Sequence, residues 1–420
     1  MRYDEVMKNV QRRFPACALL LFLVAVPTAV LAFEAVDTLP WPSRGAFPAY
    51  PREDDRPTDY WFNVGAMRDD NVLRVESAEQ ADTIARVGGG IRHEARVIGR
   101  QRVLLEARGD YYKYDRFSRL DHFGYSGVGT WLWEVGNQLS GTVVAGIDRR
   151  QVDLAETLTE RLDLVRSMRL GATAGYLVTP RFRARGGVAA TRSDRSAEVE
   201  TETRATSLIV GADYVSPLAN TVGLEYRTTN GKAPFEELVS GIGFVNNDYR
   251  ERELSVVSTY ALGTQLRARV RVGRTWRDYD EIPGRDFDGT TGRVSVDWLP
   301  GAKTILGFEA YREPRSIVDI AASHVLVEGV AFGPRWAATN KLVLSARFVR
   351  ERREHEGDPG LVAGRTLRDE LRQLVRFAVG WEPIRRWQVG LGLDRGERES
   401  NIPGGDYQYS AISGNLGYVW

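Results

Sequence analysis

The chain has 420 residues, of which 27% are charged, and its 57 Lys and Arg against 56 Asp and Glu leave a formal net charge of +1. That balance excludes the basic face or stripe on which nucleic-acid binding depends. Aromatics at 10% and 42 glycines are high for a helical enzyme. The mean hydropathy of −0.33 suits a water-soluble protein or a transmembrane barrel, whose lipid-facing residues alternate with polar lumen residues.

Residues 1–32 read as a secretory signal peptide. Lys8, Arg12 and Arg13 form a positive start, 16–30 an apolar run, and Val30-Leu31-Ala32 a small-residue cleavage site. The run is shorter than the roughly 20 apolar residues of a spanning helix. The sole cysteine, Cys17, lies inside it, so the mature chain is expected to hold neither a disulfide framework nor a thiolate metal site. Residues 33–57 carry Pro40, Pro42, Pro48, Pro51 and Pro57 without periodicity and read as an extended periplasmic linker.

From 58 to 420 the character is uniform, and it predicts one all-β, antiparallel outer-membrane β-barrel of about eighteen strands. Successive strand side chains point to opposite faces. In 103–111, Val103, Leu105, Ala107, Gly109 and Tyr111 oppose Glu106, Arg108 and Asp110. Phe182, Ala184, Gly186 and Val188 oppose Arg181, Arg183 and Arg185, and Leu266, Ala268, Val270 and Val272 oppose Arg267, Arg269 and Arg271. Even-numbered segments end in tight turns such as Gly136-Asn137, Thr179-Pro180, Gly263-Thr264 and Thr339-Asn340. Odd-numbered ones end in longer polar stretches: 69–80, 153–160, 192–202, 230–247, 279–286, 351–365 and 397–406. Such alternation is the periplasmic-turn, extracellular-loop asymmetry of outer-membrane barrels.

The last segment puts Ile412, Gly414, Leu416, Tyr418 and Trp420 on one face and stops on an aromatic residue. Tyr418 and Trp420 resemble the terminal signature read by the barrel assembly machinery. Trp131, Trp133, Trp298, Trp381 and Trp387 stand beside short turns and are expected to form a periplasmic aromatic girdle. The same period aims Arg86, Arg92, Arg108, Arg169, Arg183, Arg185, Arg267, Arg269, Arg271, Arg293, Arg347, Arg372 and Arg376 into the lumen, beside Glu94, Glu106, Asp110, Asp148, Asp213, Glu225, Asp297 and Glu309. A ladder of guanidinium forks offers successive weak sites to an anionic polymer. The alternative is that arginines and acids satisfy one another, which the near-parity of acids favours.

Three further features complete the inventory. His93, His122, His324 and His355 form no nucleophile–base constellation, so no enzyme and no cofactor are expected. The acids Asp278, Asp280, Glu281, Asp286 and Asp288 cluster on one outer loop, but their spacing fits no calcium loop and a solvated loop is the simpler reading. Gly88-Gly89-Gly90 sits in a strand and marks a bend or close approach rather than a phosphate loop.

The chain resembles the EpsL-type outer-membrane barrels of exosortase-associated exopolysaccharide systems, grouped with β-barrel porins. The resemblance rests on Arg68-Asp69-Asp70-Asn71, Asp82-Thr83-Ile84, Trp131-Leu132-Trp133 and Trp298-Leu299-Pro300-Gly301-Ala302-Lys303-Thr304, in order along the mature chain. It implies export of an extracellular polysaccharide across the outer membrane; with the lumen arginines as successive weak sites, the expectation is passive export of an anionic one. Expected partners are outer-membrane lipid and lipopolysaccharide, the polysaccharide itself, and periplasmic export proteins meeting the Pro-rich segment. The chief rival is a general or anion-selective diffusion porin. Such a porin narrows its pore with an inward loop, for which 230–247, with Pro234, Phe235 and Phe244, is the sequence candidate.

Overall fold

The computed structural model describes residues 57–154, 161–197, 202–239, 243–281, 283–316, 324–356 and 367–420. The expected signal peptide and nearly all of the linker therefore lie outside the described residues. The strands are β1 (Thr58–Asp69), β2 (Asp82–Arg96), β3 (Arg102–Tyr114), β4 (His122–Val135), β5 (Leu139–Gln151), β6 (Leu164–Thr179), β7 (Phe182–Arg195), β8 (Thr203–Val215) and β9 (Thr221–Lys232). A small hairpin follows, β10 (Glu237–Val239) and β11 (Gly243–Val245). The wall resumes with β12 (Tyr249–Leu262), β13 (Leu266–Tyr279), β14 (Phe287–Gly301), β15 (Thr304–Ser316), β16 (His324–Ala337), β17 (Leu342–Glu356), β18 (Asp369–Trp381), β19 (Trp387–Ser400) and β20 (Tyr407–Val419).

Eighteen of these form one sheet, each pairing antiparallel with its neighbours. It closes because β1 pairs with β2 on one side and β20 on the other, with Asn63 opposite both Gly88 and Gly417. Tyr60 and Trp420 exchange backbone hydrogen bonds of 3.1 and 3.0 Å across this seam. Closure leaves no sheet edge, which a lipid environment cannot satisfy. Among the described residues no helix is long and apolar enough to cross a membrane, and the crossing is made by strands.

One face of every wall strand is apolar and exposed: Phe62, Leu105, Leu170, Val188, Leu208, Leu224, Val256, Leu391 and Ile412 stand on it. The opposite face carries Asn63, Arg86, Asp110, Asp213, Glu225 and Arg271, all buried. An apolar outside around a polar, closed inside places the protein in the bacterial outer membrane. Wall strands run 12 to 16 residues, beyond the roughly 9–11 needed to span. The excess projects on the long-loop side, where outward residues also become charged and pair, as Arg252 does with Asp278 at 2.7 Å and Arg274 with Asp288 at 2.7 Å.

Trp131, Trp298, Trp381 and Trp387 stand exposed on the outer face near the short turns, with Trp336 in the same band. Trp133 is half-buried, its ring lying where a Cβ on Gly141 would be, 2.3 Å away. Tyr60, Trp420 and Tyr418 stack along the seam and Trp387 meets Tyr418 edge-on, at centroid spacings of 5.1 to 5.8 Å. In the Gly88-Gly89-Gly90 run, a Cβ on Gly90 would fall 2.2 Å from the Trp61 ring and one on Gly88 2.0 Å from Asp110. This run is a close approach inside the barrel. The connection 115–121, absent from the long segments read in the sequence, holds a single 3-10 turn (Ser118–Leu120) that buries Leu120.

Leu208 lies mid-strand on the lipid face and is 51% exposed. Leu208→Arg is expected to destabilise the barrel by about 2–4 kcal/mol. Urea unfolding in lipid vesicles, followed by the gel shift between folded and heated barrel, measures this.

Candidate functional site: a charged lumen with an inner clasp

The lumen wall from β7 to β17 carries three successive clusters of ion pairs. Asp213 accepts from Arg183 at 2.7 Å and Arg185 at 2.8 Å, and Arg185 reaches on to Glu225 at 2.8 Å. Glu225 also receives Arg271 and, at 3.1 Å, Arg227. Arg227 and Arg271 share Glu253 at 3.3 and 3.6 Å. Arg293 binds Glu309 and, at 3.0 Å, Glu313. Glu351 then takes Arg353 at 2.5 Å and the Tyr311 hydroxyl at 2.6 Å. The strand register explains the order. Arg271 stands directly opposite Arg293, an unfavourable like-charge pair that the flanking glutamates neutralise.

The seam side differs. Arg86 donates to Asn63 at 2.7 Å and meets Asp110 at 3.2 Å, and Arg108 meets the other oxygen of Asp110. Arg376 pairs with Asp394. Arg372 lies 3.7 Å from Glu370, and 4.0 Å from Asp153 on the β5–β6 connection. Since β5 and β18 stand on opposite sides of the β20–β1 seam, that contact reaches across the lumen.

A clasp formed by 70–81 fills the space beneath it. Val72 and Leu73 are buried against the lumen-facing Met67, Ile84 and Tyr114 and against Phe117 and Leu120, with Leu154 and Leu162 packed at the margin. Polar anchors fix its ends. Asn71 Nδ2 donates to the carbonyls of Val75 at 2.8 Å and Gln408 at 2.9 Å, and the Ser410 amide donates to Asp70 Oδ1 at 2.7 Å. Arg74, at a left-handed φ of 57°, forks onto both Asp69 oxygens at 2.9 and 2.7 Å. Its guanidinium lies 3.6 Å over the Tyr409 ring. Burial works against the Arg74 charge, but the adjacent Asp69 carboxylate outweighs it and holds the guanidinium above its ordinary pKa.

The inward-folded segment is therefore 70–81, not 230–247. The latter region forms the β10–β11 hairpin with Phe235 and Phe244 exposed. Phe235 and Phe244 thus stay outside the packed core, while Val245 is buried.

Not every expected arginine joins the network. Arg267 and Arg269, near the periplasmic end of β13, make no ion pair among the described residues, although Asp297 stands opposite Arg267 in register, and Arg269 is exposed. Arg92 likewise makes no ion pair, although Glu106 stands opposite it in register. Arg347 and Arg169 are not without partners: Arg347 is exposed and stands opposite Arg376 in register. Arg169 lies across Gly146, where a Cβ would be 2.6 Å from its Nε. Sequence reasoning missed Arg74, Arg227, Arg353 and Arg398 as network members. Arg227 and Arg353 continue the two-residue period, and that is the signal that finds them.

Four of the five outer-loop acids are engaged, Asp280 standing exposed. Asp278 and Asp288 pair with arginines, Asp286 accepts the Tyr279 amide at 2.8 Å, and Glu281 accepts from Asn246. The described residues contain no group of acids and histidines placed to hold a metal. Three of the histidines have separate partners: His93 bonds Thr58 at 2.8 Å, His122 stacks on Tyr112, and His324 stacks on Tyr279, while His355 is buried on β17.

No family model matches the chain, and no curated protein matches it. The resemblance to EpsL-type barrels thus has no support from these comparisons. Among solved structures the chain is similar to Pseudomonas aeruginosa OpdK with vanillate, at 10% identity and TM-score 0.46, covering 86% of this chain and 99% of that one. It is similar to P. aeruginosa OccK2 (OpdF) in complex with glucuronate, at 12% and 0.46, covering 87% and 98%. The alcaligin outer-membrane receptor FauA of Bordetella pertussis gives 10% and 0.39, covering 86% and 76%. Likeness at this level carries nothing about cargo, and the fold stands on the strand pairing itself.

Arg74→Ala strands a buried Asp69 carboxylate and is expected to cost the clasp about 3–5 kcal/mol. Limited proteolysis of the folded barrel should then cut within 70–81 at protease levels that leave the unaltered protein whole. Equal resistance would mean that the ion pair does not hold the segment.

Proposed function

We propose that the protein is a passive outer-membrane channel preferring small organic anions, narrowed at its extracellular end by the 70–81 clasp. The observation that carries this reading is the contrast between Arg267 and Arg269, which make no ion pair among the described residues, and the saturated arginines above them. A saturated pair has no net charge to offer a passing solute. An unpaired guanidinium in a wet lumen offers a fixed fork to a carboxylate, and a few such groups bias a pore toward anions. The clasp supports small cargo because it packs apolar side chains across part of the mouth.

Export of an anionic polysaccharide is the second reading, favoured by the length of the arginine ladder. In that case carboxylates of the polymer would exchange with wall acids from site to site, and periplasmic export proteins would meet the short-turn face.

In planar bilayers under a KCl gradient, the unaltered protein should show an anion-selective reversal potential. The pair Arg267→Glu and Arg269→Glu should move that potential toward cation selectivity with the conductance retained. An unchanged potential would sink the small-anion reading. In a deletion strain, loss of extracellular polymer with accumulation in the periplasm, restored by the intact gene, would instead establish the exporter.

A further inference from the structure

The outer wall over β14–β18 carries a recess. A groove of about 520 Å³ runs along it, lined by Val294, Phe308, Val330, Phe332, Phe348 and Arg350 among others. Strand register resolves it into three rungs. The lower rung places Phe308, Phe332 and Phe348 directly opposite one another, with ring centroids 4.8 and 6.1 Å apart. The middle rung is small: Val294, Ala310 and Val330, ending at Arg350. The upper rung is charged and self-paired, with Arg312 on Glu328 at 2.5 Å and Arg352 on Asp369 at 2.8 Å. The groove is thus an aromatic ledge roofed by ion pairs, hollow because its middle rung lacks bulk.

Arg350 stands apart from that roof. It points outward with Phe348 and Arg352, is exposed, and meets no acid among the described residues. Arg395, two strands on, is also outward, exposed and without an acidic partner among them. Two strand spacings and a two-residue offset in register separate them by about 12 Å. Arg350 lies eight residues up β17 from Leu342, which is about 26 Å along the strand and about 20 Å of height at the usual tilt. The apolar band of such barrels is about 25 Å tall. These cations therefore sit at the upper border of the hydrocarbon, on the long-loop side, where an uncompensated charge is costly.

We propose that this ledge is a binding site for a phosphorylated glycolipid of the outer leaflet, one acyl chain lying on Phe308, Phe332 and Phe348 and its phosphates on Arg350 and Arg395. A headgroup with phosphates at both ends of a disaccharide spans two separated cations, which a single-phosphate phospholipid does not. Guanidinium forks match phosphate oxygens bidentately, and the aromatic rung gives the chain a flat apolar bed.

The test extracts the full-length barrel from outer membranes in mild detergent and counts retained lipids by native mass spectrometry, on folded protein only. Arg350→Ala with Arg395→Ala should lower retained glycolipid roughly tenfold, and Phe332→Ala should lower it by a smaller factor. Leu224→Ala, on the far wall, should leave it unchanged. Should the double variant fail to assemble, the unaltered barrel in detergent is titrated with the bisphosphorylated glycolipid and with phosphatidylglycerol, and must retain the former preferentially. Unchanged retention in the variants, or equal retention of both lipids, overturns the proposal.

Discussion

A backbone crossing hydrocarbon must satisfy every N–H and C=O within itself, and the rest of this molecule depends on how it does so. Here the solution is closure, made where β1 accepts both β2 and β20. The seam is the join between the two ends of the wall, and it is reinforced. Backbone bonds link Tyr60 to Trp420, aromatic rings line its outer side, and the clasp packs against its inner side. Once the sheet is closed, the two-residue period forces every second side chain into a common interior. The chemistry of that interior is then a question of which residues meet by register.

Register brings arginines and acids together in such numbers that most neutralise one another. In a lumen reached by water each pair adds little stability. The value of these pairs is positional, since several carboxylates are held by two or three guanidinium groups and removing one member leaves buried charge behind. Glu225 illustrates this with Arg185, Arg227 and Arg271 around it. A wall so saturated presents little net field, and what selectivity it has falls to the few groups left over.

The wall was legible in the sequence and the clasp was not, for one physical reason. Alternation is a local property, so Arg183, Arg185, Arg267 and Arg269 share a face on the strength of their own segments. Tight turns are local too, and their chemistry located the periplasmic ends. The clasp depends on distant partners: Asn71 finds Gln408, and Val72 and Leu73 find Tyr114 and Leu120. Its own composition, with Asp70, Asn71, Arg74, Glu76 and Glu79, reads as an ordinary solvated loop. Pairing was equally out of reach. Nothing local distinguishes Arg271, held by two glutamates, from Arg269 two residues before it. Near the long-loop ends both faces are polar and the period fades, which is why Arg398 escaped notice.

The same period ties the two sides of the wall together. On β17, Phe348 and Arg350 face the membrane while Val349, Glu351 and Arg353 face the lumen. A one-residue slip would exchange these sets. It would place Glu351 and Arg353 in lipid, at a cost of several kcal/mol for the pair, and would remove Tyr311 from its glutamate. The lumen network therefore fixes the register that assembles the aromatic ledge, and the ledge, by keeping phenylalanines outside, holds the network in place. A substitution chosen to alter one face must be read for its effect on the other, because in a sheet one residue thick neither surface can be repositioned alone.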